Sequence, residues 1–340
     1  MPETTVSGLT GGVEFHASSE VEGVGRELAA VLQGAPQEAS SFGRVRLAVE
    51  ASTSGFTTTG MLRYSRDTYG DAHGTAVVRN AATSGFDLSV IAAETETRIA
   101  ARWRPGRQEQ VLSKVMKARQ RLLLAQALIH YPTLWQASQN GATPLAGCVL
   151  RVNGKGILIT GPSGVGKSTL VGQELAVGAV AISDNLVVVG PDNRAHGVVE
   201  PIRADFSLLP PGIATPMPGR KTTHGRGEGH LNSREDSIAI DAVVLLRRTG
   251  ATPGAKRIEA DGAARELAAA TYTAGELRRY WPLAAALAVA TGRGPVHPPI
   301  TESTHRICEA VPCLELELGS KPGAQLQAAL SDLESAALWT

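Results

Sequence analysis

The chain has 340 residues, of which 43% are hydrophobic and only 4% aromatic, and its formal net charge is +1. That length suits one large or two medium domains with a core built mostly from Ala, Val and Leu. The near-neutral balance leaves no basic run of the nucleic-acid type, and the longest apolar runs, 122–129 and 283–290, are far too short for a membrane span. Cys148, Cys308 and Cys313 form no C-x-x-C pair and are too few for a disulfide framework. Residues 1–12 lack the basic and apolar regions of a secretory signal. A soluble cytoplasmic protein without nucleic-acid or membrane partners is expected.

Residues 1–40 are small and polar, with one apolar patch at 28–32, and predict a frayed start followed by a short helix. From Arg44 the pattern alternates, with strands predicted at 45–49, 61–64 and 76–78 and a hairpin made by 86–90 and 97–103. Residues 108–130 keep helical spacing through Val111, Val115, Leu122, Ala125 and Leu128, and Pro132 is expected to end that helix. Then the composition shifts. Apolar strands are predicted at 145–152, 156–160, 179–183, 186–189 and 238–246, with one helix at 167–177. Residues 201–230, rich in Pro, Gly, Arg and His, predict a long mobile loop. Helices at 276–290 and 325–338 and a strand at 313–318 close the chain. The fold class expected is α/β, with an N-terminal mixed α/β module over 1–140 and a catalytic domain over 141–340.

The most informative motif is Gly161-Pro162-Ser163-Gly164-Val165-Gly166-Lys167-Ser168-Thr169, directly after the apolar run 156–160. It is a complete Walker A loop with a strand before it and a helix after it. Backbone N–H groups in such a loop turn inward and cradle phosphate oxygens, and the glycines let the backbone approach closely. Lys167 supplies a point charge for the β- and γ-phosphates, and Ser168 a hydroxyl for Mg²⁺. The ligand class read from the loop is therefore a nucleotide, bound through Gly161, Ser163, Gly164, Val165, Gly166, Lys167, Ser168 and Thr169.

A second clue is Val180-Ala181-Ile182-Ser183-Asp184-Asn185, where an apolar strand runs into an acid seventeen positions after Lys167. One helix and one strand fit that interval. If the strand lies parallel to 156–160, Asp184 comes to the edge that carries the loop. A carboxylate there can take a proton from an attacking hydroxyl or hold Mg²⁺, and Asn185 can add a neutral oxygen. Both residues also suit a simple turn between strands. Arg203, Arg220, Lys221 and Arg226 follow, with His224 and His230 among them. A mobile basic loop can close over a triphosphate, or it can be a solvated loop whose charges do nothing. The two histidines have no nearby cysteine, so zinc is not expected.

Residues 147–150, 156–169 and 178–185 together resemble the catalytic domain of HPr kinase/phosphorylase. They are more similar still to the HPr-kinase-like serine kinases of ribosomal-peptide clusters of the lasso-peptide type. The resemblance is good over 143–205, loose to about 320, and absent from the first 140 residues. It implies a phosphate-loop domain of the phosphoenolpyruvate-carboxykinase type and transfer of the ATP γ-phosphate to a serine hydroxyl. By that resemblance Lys167 binds phosphates, Ser168 binds Mg²⁺ and Asp184 is the general base. Arg203 matches the arginine of the family's Glu-x-Arg-Gly segment, which here reads Glu200-Pro201-Ile202-Arg203, one residue longer. On that account Glu200 is not counted among the metal ligands, which are Ser168, Asp184 and Asn185. The family histidine before Gly147 is Ala146 here, the glutamate after the loop serine is Thr169, and the aspartate pair is Asp184-Asn185. These departures detach the reverse, phosphorolytic reaction from the resemblance while leaving the minimum set for a kinase.

The function expected is an ATP- and Mg²⁺-dependent kinase of a serine or similar hydroxyl on a peptide or small protein. The long segment before the loop suits a separately recognised substrate, and a homo-oligomer is compatible with the sequence. Arg203 joins Asp184 and Lys167 as catalytic residues, and Arg220 and Lys221 are expected on the nucleotide. A small-molecule hydroxyl kinase and a nucleotide-binding regulator with little turnover are the alternatives.

Overall fold

The structure is a computed structural model that describes residues 3–36, 40–209, 211–222, 225–232, 234–248, 254–319 and 325–335. It is a mixed α/β protein with several sheets. Its contacts divide it into two units, one of Met1–Ala142, Lys221–Gly225 and Arg278–Pro298, the other of Thr143–Arg220, Arg226–Leu277 and Pro299–Thr340.

The first unit is built on an eight-stranded sheet. Its spatial order is Thr4–Thr10, Val13–Ser19, Arg44–Glu50, Glu96–Trp103, Phe86–Ala92, Thr75–Val78, Thr68–Gly70 and Leu62–Arg63. Strict alternation sets which face is buried: Val13, Phe15 and Ala17 point inward while Glu14, His16 and Ser18 do not. Helices Glu22–Leu32, Tyr131–Gln139 and Tyr280–Thr291 pack on the sheet. The frayed start is therefore corrected to a hairpin, because β-branched and small residues alternate there on a half-buried edge. The predicted 108–130 helix is also corrected. It is broken into Arg107–Val115 and Lys117–Ala125, widens into a π-turn over Gln126–His130, and resumes as Tyr131–Gln139. Pro132 thus falls in the first turn of the resumed helix, where a missing N–H costs little, and does not end it.

The second unit holds a six-stranded sheet in the order Val180–Ser183, Cys148–Val152, Lys155–Thr160, Ala242–Arg247, Cys313–Glu317 and Gly254–Arg257. Lys155–Thr160, Ala242–Arg247 and Cys313–Glu317 run parallel. The first two are buried on both faces and read as near-continuous apolar runs, whereas Cys313–Glu317 alternates apolar and acidic residues. The predicted 145–152 strand is two strands, Thr143–Ala146 and Cys148–Val152, in different sheets. The break is at Gly147, where an added Cβ would lie 2.8 Å from the Ile159 carbonyl oxygen. Helix Lys167–Leu175 follows the Walker-type loop. Its buried Glu174 accepts from the N–H of Leu326 at 2.8 Å, anchoring helix Gln325–Ser335 by its N-terminus. Position 338, the predicted end of that last helix, lies outside the described residues. Helices Ala260–Thr273 and Ile300–Ala310 were not anticipated, and the helix expected at 276 begins at Tyr280.

The largest correction concerns 201–230. In place of a loop, Ile202–Ala204, Ala214–Lys221 and Gly227–Leu231 form a three-stranded sheet. Pro and Gly hid the strands, since only the last of the three has a clear buried stretch.

Candidate functional site

The buried strand Lys155–Thr160 ends at Gly161, and helix Lys167–Leu175 begins after Gly166. Between them Gly164 and Gly166 have φ of +81° and +119°, a region open to glycine and costly for other residues. Val165 is buried beneath the turn, whereas Ser163, Gly164 and Thr169 are exposed and Ser168 is half-buried. The turn thus presents backbone and hydroxyl groups outward, at a helix N-terminus whose first amides lack intrahelical partners. Lys167 Nζ donates to the carbonyls of Gly161 at 2.8 Å and Pro162 at 3.2 Å, folding over the turn. Burial pushes its ammonium below the ordinary lysine value, and the Glu276 carboxylate pulls the other way.

Asp184 reaches the same edge, but not as a neighbour of the loop strand. Val180–Ser183 pairs antiparallel with Cys148–Val152, which pairs antiparallel with Lys155–Thr160. Two reversals leave the outer and inner strands pointing the same way. Val149 is opposite Ser183 on one side and Leu158 on the other, so Asp184 stands level with the end of the loop strand. The acid is also in a turn, since the Ser183 hydroxyl accepts from the N–H groups of Asn185 and Leu186 at 3.3 and 3.2 Å. Asp184 is nonetheless only 7% exposed. Burial raises its carboxyl above the ordinary value, against the pull of Arg203 and Arg234. Cys148, between these strands, is a neutral thiol pushed up to about 12 by burial and by Asp184.

Around Asp184 lies a charged cluster. Arg203 Nη1 donates to Glu276 at 3.2 Å and Nη2 to Glu200 at 3.3 Å. Arg234 Nη2 donates to the Glu200 carbonyl at 2.7 Å. Burial lifts the Glu200 carboxyl from 4.5 to about 7, opposed by Arg203 and reinforced by Asp184 and Glu276. Glu200 Oε1 is buried without a well-formed hydrogen bond, and the Asn185 amide beside this carboxyl favours its ionised form. A buried carboxylate oxygen with room for a ligand, beside a second acid that burial also raises, fits a hard dication, which takes oxygen ligands and favours the ionised acids. Asp184, Glu200 and the amide oxygen of Asn185 are the groups here that could hold Mg²⁺, with the Ser168 hydroxyl from the loop. Glu200, set aside in the sequence because of its shifted spacing, is therefore part of the cluster.

Arg234 and Glu276 are the members that sequence reasoning missed. Arg234 lies between two short strands, and Glu276 in the turn after helix Ala260–Thr273, with no periodic or motif signal at either place. Arg220 and Lys221 come out differently from the expectation of a closing basic loop. Arg220 is on strand Ala214–Lys221 and is held by Glu228 at 3.4 Å, and Lys221 is exposed. Arg226 just precedes the next strand. His224 lies outside the described residues. His230 is buried, and burial keeps its imidazole below the ordinary value, so it is neutral.

The fold and the site define a mixed α/β protein in which a glycine-rich strand–turn–helix lies beside a buried carboxylate–guanidinium cluster. No family model and no curated protein matches the chain. Among solved structures it is similar to the Hpr(Ser) kinase/phosphatase from Coxiella burnetii, at 11% identity and a TM-score of 0.29, over 58% of this chain and 93% of that one.

Proposed function

We propose that the second unit binds ATP with Mg²⁺ and transfers the γ-phosphoryl group to a serine or similar hydroxyl of a peptide or small protein. The observation that supports this best is the gathering of Lys167, Asp184 and Arg203 about Glu276, from four separate stretches of chain. In this reading the turn from Gly161 to Thr169 holds the phosphates through backbone N–H groups and the Ser168 hydroxyl. Bound Mg²⁺ supplies charge neutralisation on the phosphate oxygens. Lys167 and Arg203 follow the negative charge as the bond between the γ-phosphorus and the bridging oxygen breaks and ADP leaves. Asp184 takes the hydroxyl proton as the new phosphorus–oxygen bond forms. Burial raises its carboxyl above the ordinary value, which makes the ionised form a stronger base than a free aspartate. The first unit would present the substrate.

The test is incubation of the full chain with γ-labelled ATP, Mg²⁺, a serine-peptide library and a metabolite mixture. Label on serine is expected. Label on a metabolite would favour a small-molecule kinase, and tight ATP binding without transfer a nucleotide-binding regulator. No nucleotide binding at all would sink the reading.

A further inference from the structure

Residues 102–121 carry seven Arg and Lys against a single acid, Glu109, in a chain whose net charge is +1. The same stretch exposes large apolar side chains: Trp103 is 36% exposed, Met116 41%, Val111 62% and Val115 77%. Apolar groups scattered singly over a surface need no explanation, but Val111 and Val115, four apart on helix Arg107–Val115, share one face and Met116 follows directly, making an exposed apolar patch, while Met116 and Trp103 line one cavity. The patch has a hole in it. A surface cavity of 180 Å³ opens among Trp103, Pro105, Met116 and Leu123, with polar groups, Glu109 and Arg119 among them, making up the rest of its wall. In volume alone it has room for one side chain of leucine or phenylalanine size, since ~150 Å³ accommodates benzene.

The cavity wall is held firmly. Asn80 Oδ1 accepts from the Gly85 N–H at 2.8 Å, and Asn80 Nδ2 donates to Glu109 Oε1 at 2.8 Å, tying the 80–85 turn to helix Arg107–Val115. In that turn Asn80, Ala82 and Thr83 have φ of 46°, 51° and 59°. Ala and Thr are strained there, and strain of this kind persists where surrounding structure enforces it, often at ligand clamps. Glu109, the one acid, is engaged by Asn80, while Arg102 and Arg104 are paired with Glu50 and Asp87. Arg107, Lys114 and Lys117 are left exposed around the apolar patch.

We propose that this surface docks an acidic peptide segment bearing one leucine- or phenylalanine-sized anchor. The anchor fills the cavity, flanking aliphatic groups cover Val111 and Val115, and the acidic residues meet Arg107, Lys114 and Lys117. A central apolar anchor within a charged rim is the usual layout of a specific peptide site. A nucleic acid would have no use for the apolar patch or for the side-chain-sized hollow beside it. The proposal deepens the reading of the chain as a peptide kinase by naming how the substrate is recruited. Its test uses no nucleotide, so the two can fail separately.

The probe is a fluorescein-labelled peptide of about twelve residues, Asp and Glu flanking a central Leu-Phe, titrated against the full chain. A lysine-for-acid version, a uridine RNA oligonucleotide and phosphatidylserine vesicles are titrated in parallel. The acidic peptide should bind, weaken as salt rises past roughly 0.15 M, and lose about tenfold or more in affinity with Val115→Asp or with Lys114→Glu plus Lys117→Glu. All three positions are exposed, so thermal melting of the variants should match the parent and exclude a folding defect. Failure of the acidic peptide to bind, binding untouched by Val115→Asp, or preferential binding of the RNA or the vesicles would overturn the proposal. Peptide binding here without any label transfer would leave the docking surface standing and remove the kinase reading.

Discussion

Arg203 donates to Glu276 at 3.2 Å, across 73 positions of sequence. Glu276 also pulls on Lys167, so one carboxylate sits among the cations that the proposed reaction needs for phosphate. An incoming phosphate must displace it or share the two positive groups with it. Glu276→Gln should therefore tighten ATP binding severalfold, measured by calorimetry with Mg²⁺ present. In an Arg203→Met background the same change should gain much less, because part of the competition is gone. Equal or weaker binding in the Gln variant would show that Glu276 does not hold the cations back.

Lys167 stands in the exposed turn with its ammonium on two backbone carbonyls, an arrangement that phosphate oxygens would replace. Lys167→Ala should leave the fold intact, as judged by its melting curve, and reduce phosphoryl transfer by several orders of magnitude. Turnover near the parent value would remove the assignment of this loop to phosphate.

Asp184 tests the proton-transfer step. Asp184→Asn keeps the shape of the side chain and removes the base and the charge. ATP affinity near normal with a loss of roughly 10²–10⁴-fold in transfer is expected. If binding and Mg²⁺ dependence collapse together, Asp184 is chiefly a metal ligand. If turnover is normal, another acid in the cluster does this work.

Glu200 gives the free protein a pH signature. Its carboxyl rises from 4.5 to about 7 on burial, so between those values the folded chain holds a proton that the unfolded chain has lost. Stability contributed this way is complete below 4.5 and declines as pH rises through about 7, by roughly 3 kcal/mol at most. Asp184, also raised, adds a slope of the same sign. Urea melts from about pH 5 to pH 8 should show this decline, and Glu200→Gln should flatten part of it. A Gln variant with the parent's slope would place the titration elsewhere.

The sequence by itself determined the parts whose causes are local. The glycine-rich strand–turn–helix was legible because a buried strand, glycines at positive φ and a helix start are specified within fifteen residues. Asp184 was legible because one helix and one strand bring it to the loop-bearing edge, on a strand that lies parallel to the loop strand with Cys148–Val152 between them. Glu200, Arg234 and Glu276 depended on tertiary structure. They meet Arg203 and Asp184 only after separate segments converge, and no periodicity carries that information. The 201–230 region reversed for a related reason. Its Pro and Gly residues argue locally for a loop, but main-chain pairing between Ile202–Ala204 and Gly227–Leu231 outweighs them. Arg220 consequently faces Glu228 on a strand and is not carried on a mobile lid. Backbone conformation was readable where neighbours in sequence impose it. Which charges share one buried space was decided by packing, because the cost of burying an ion depends on partners that the chain brings in from far away.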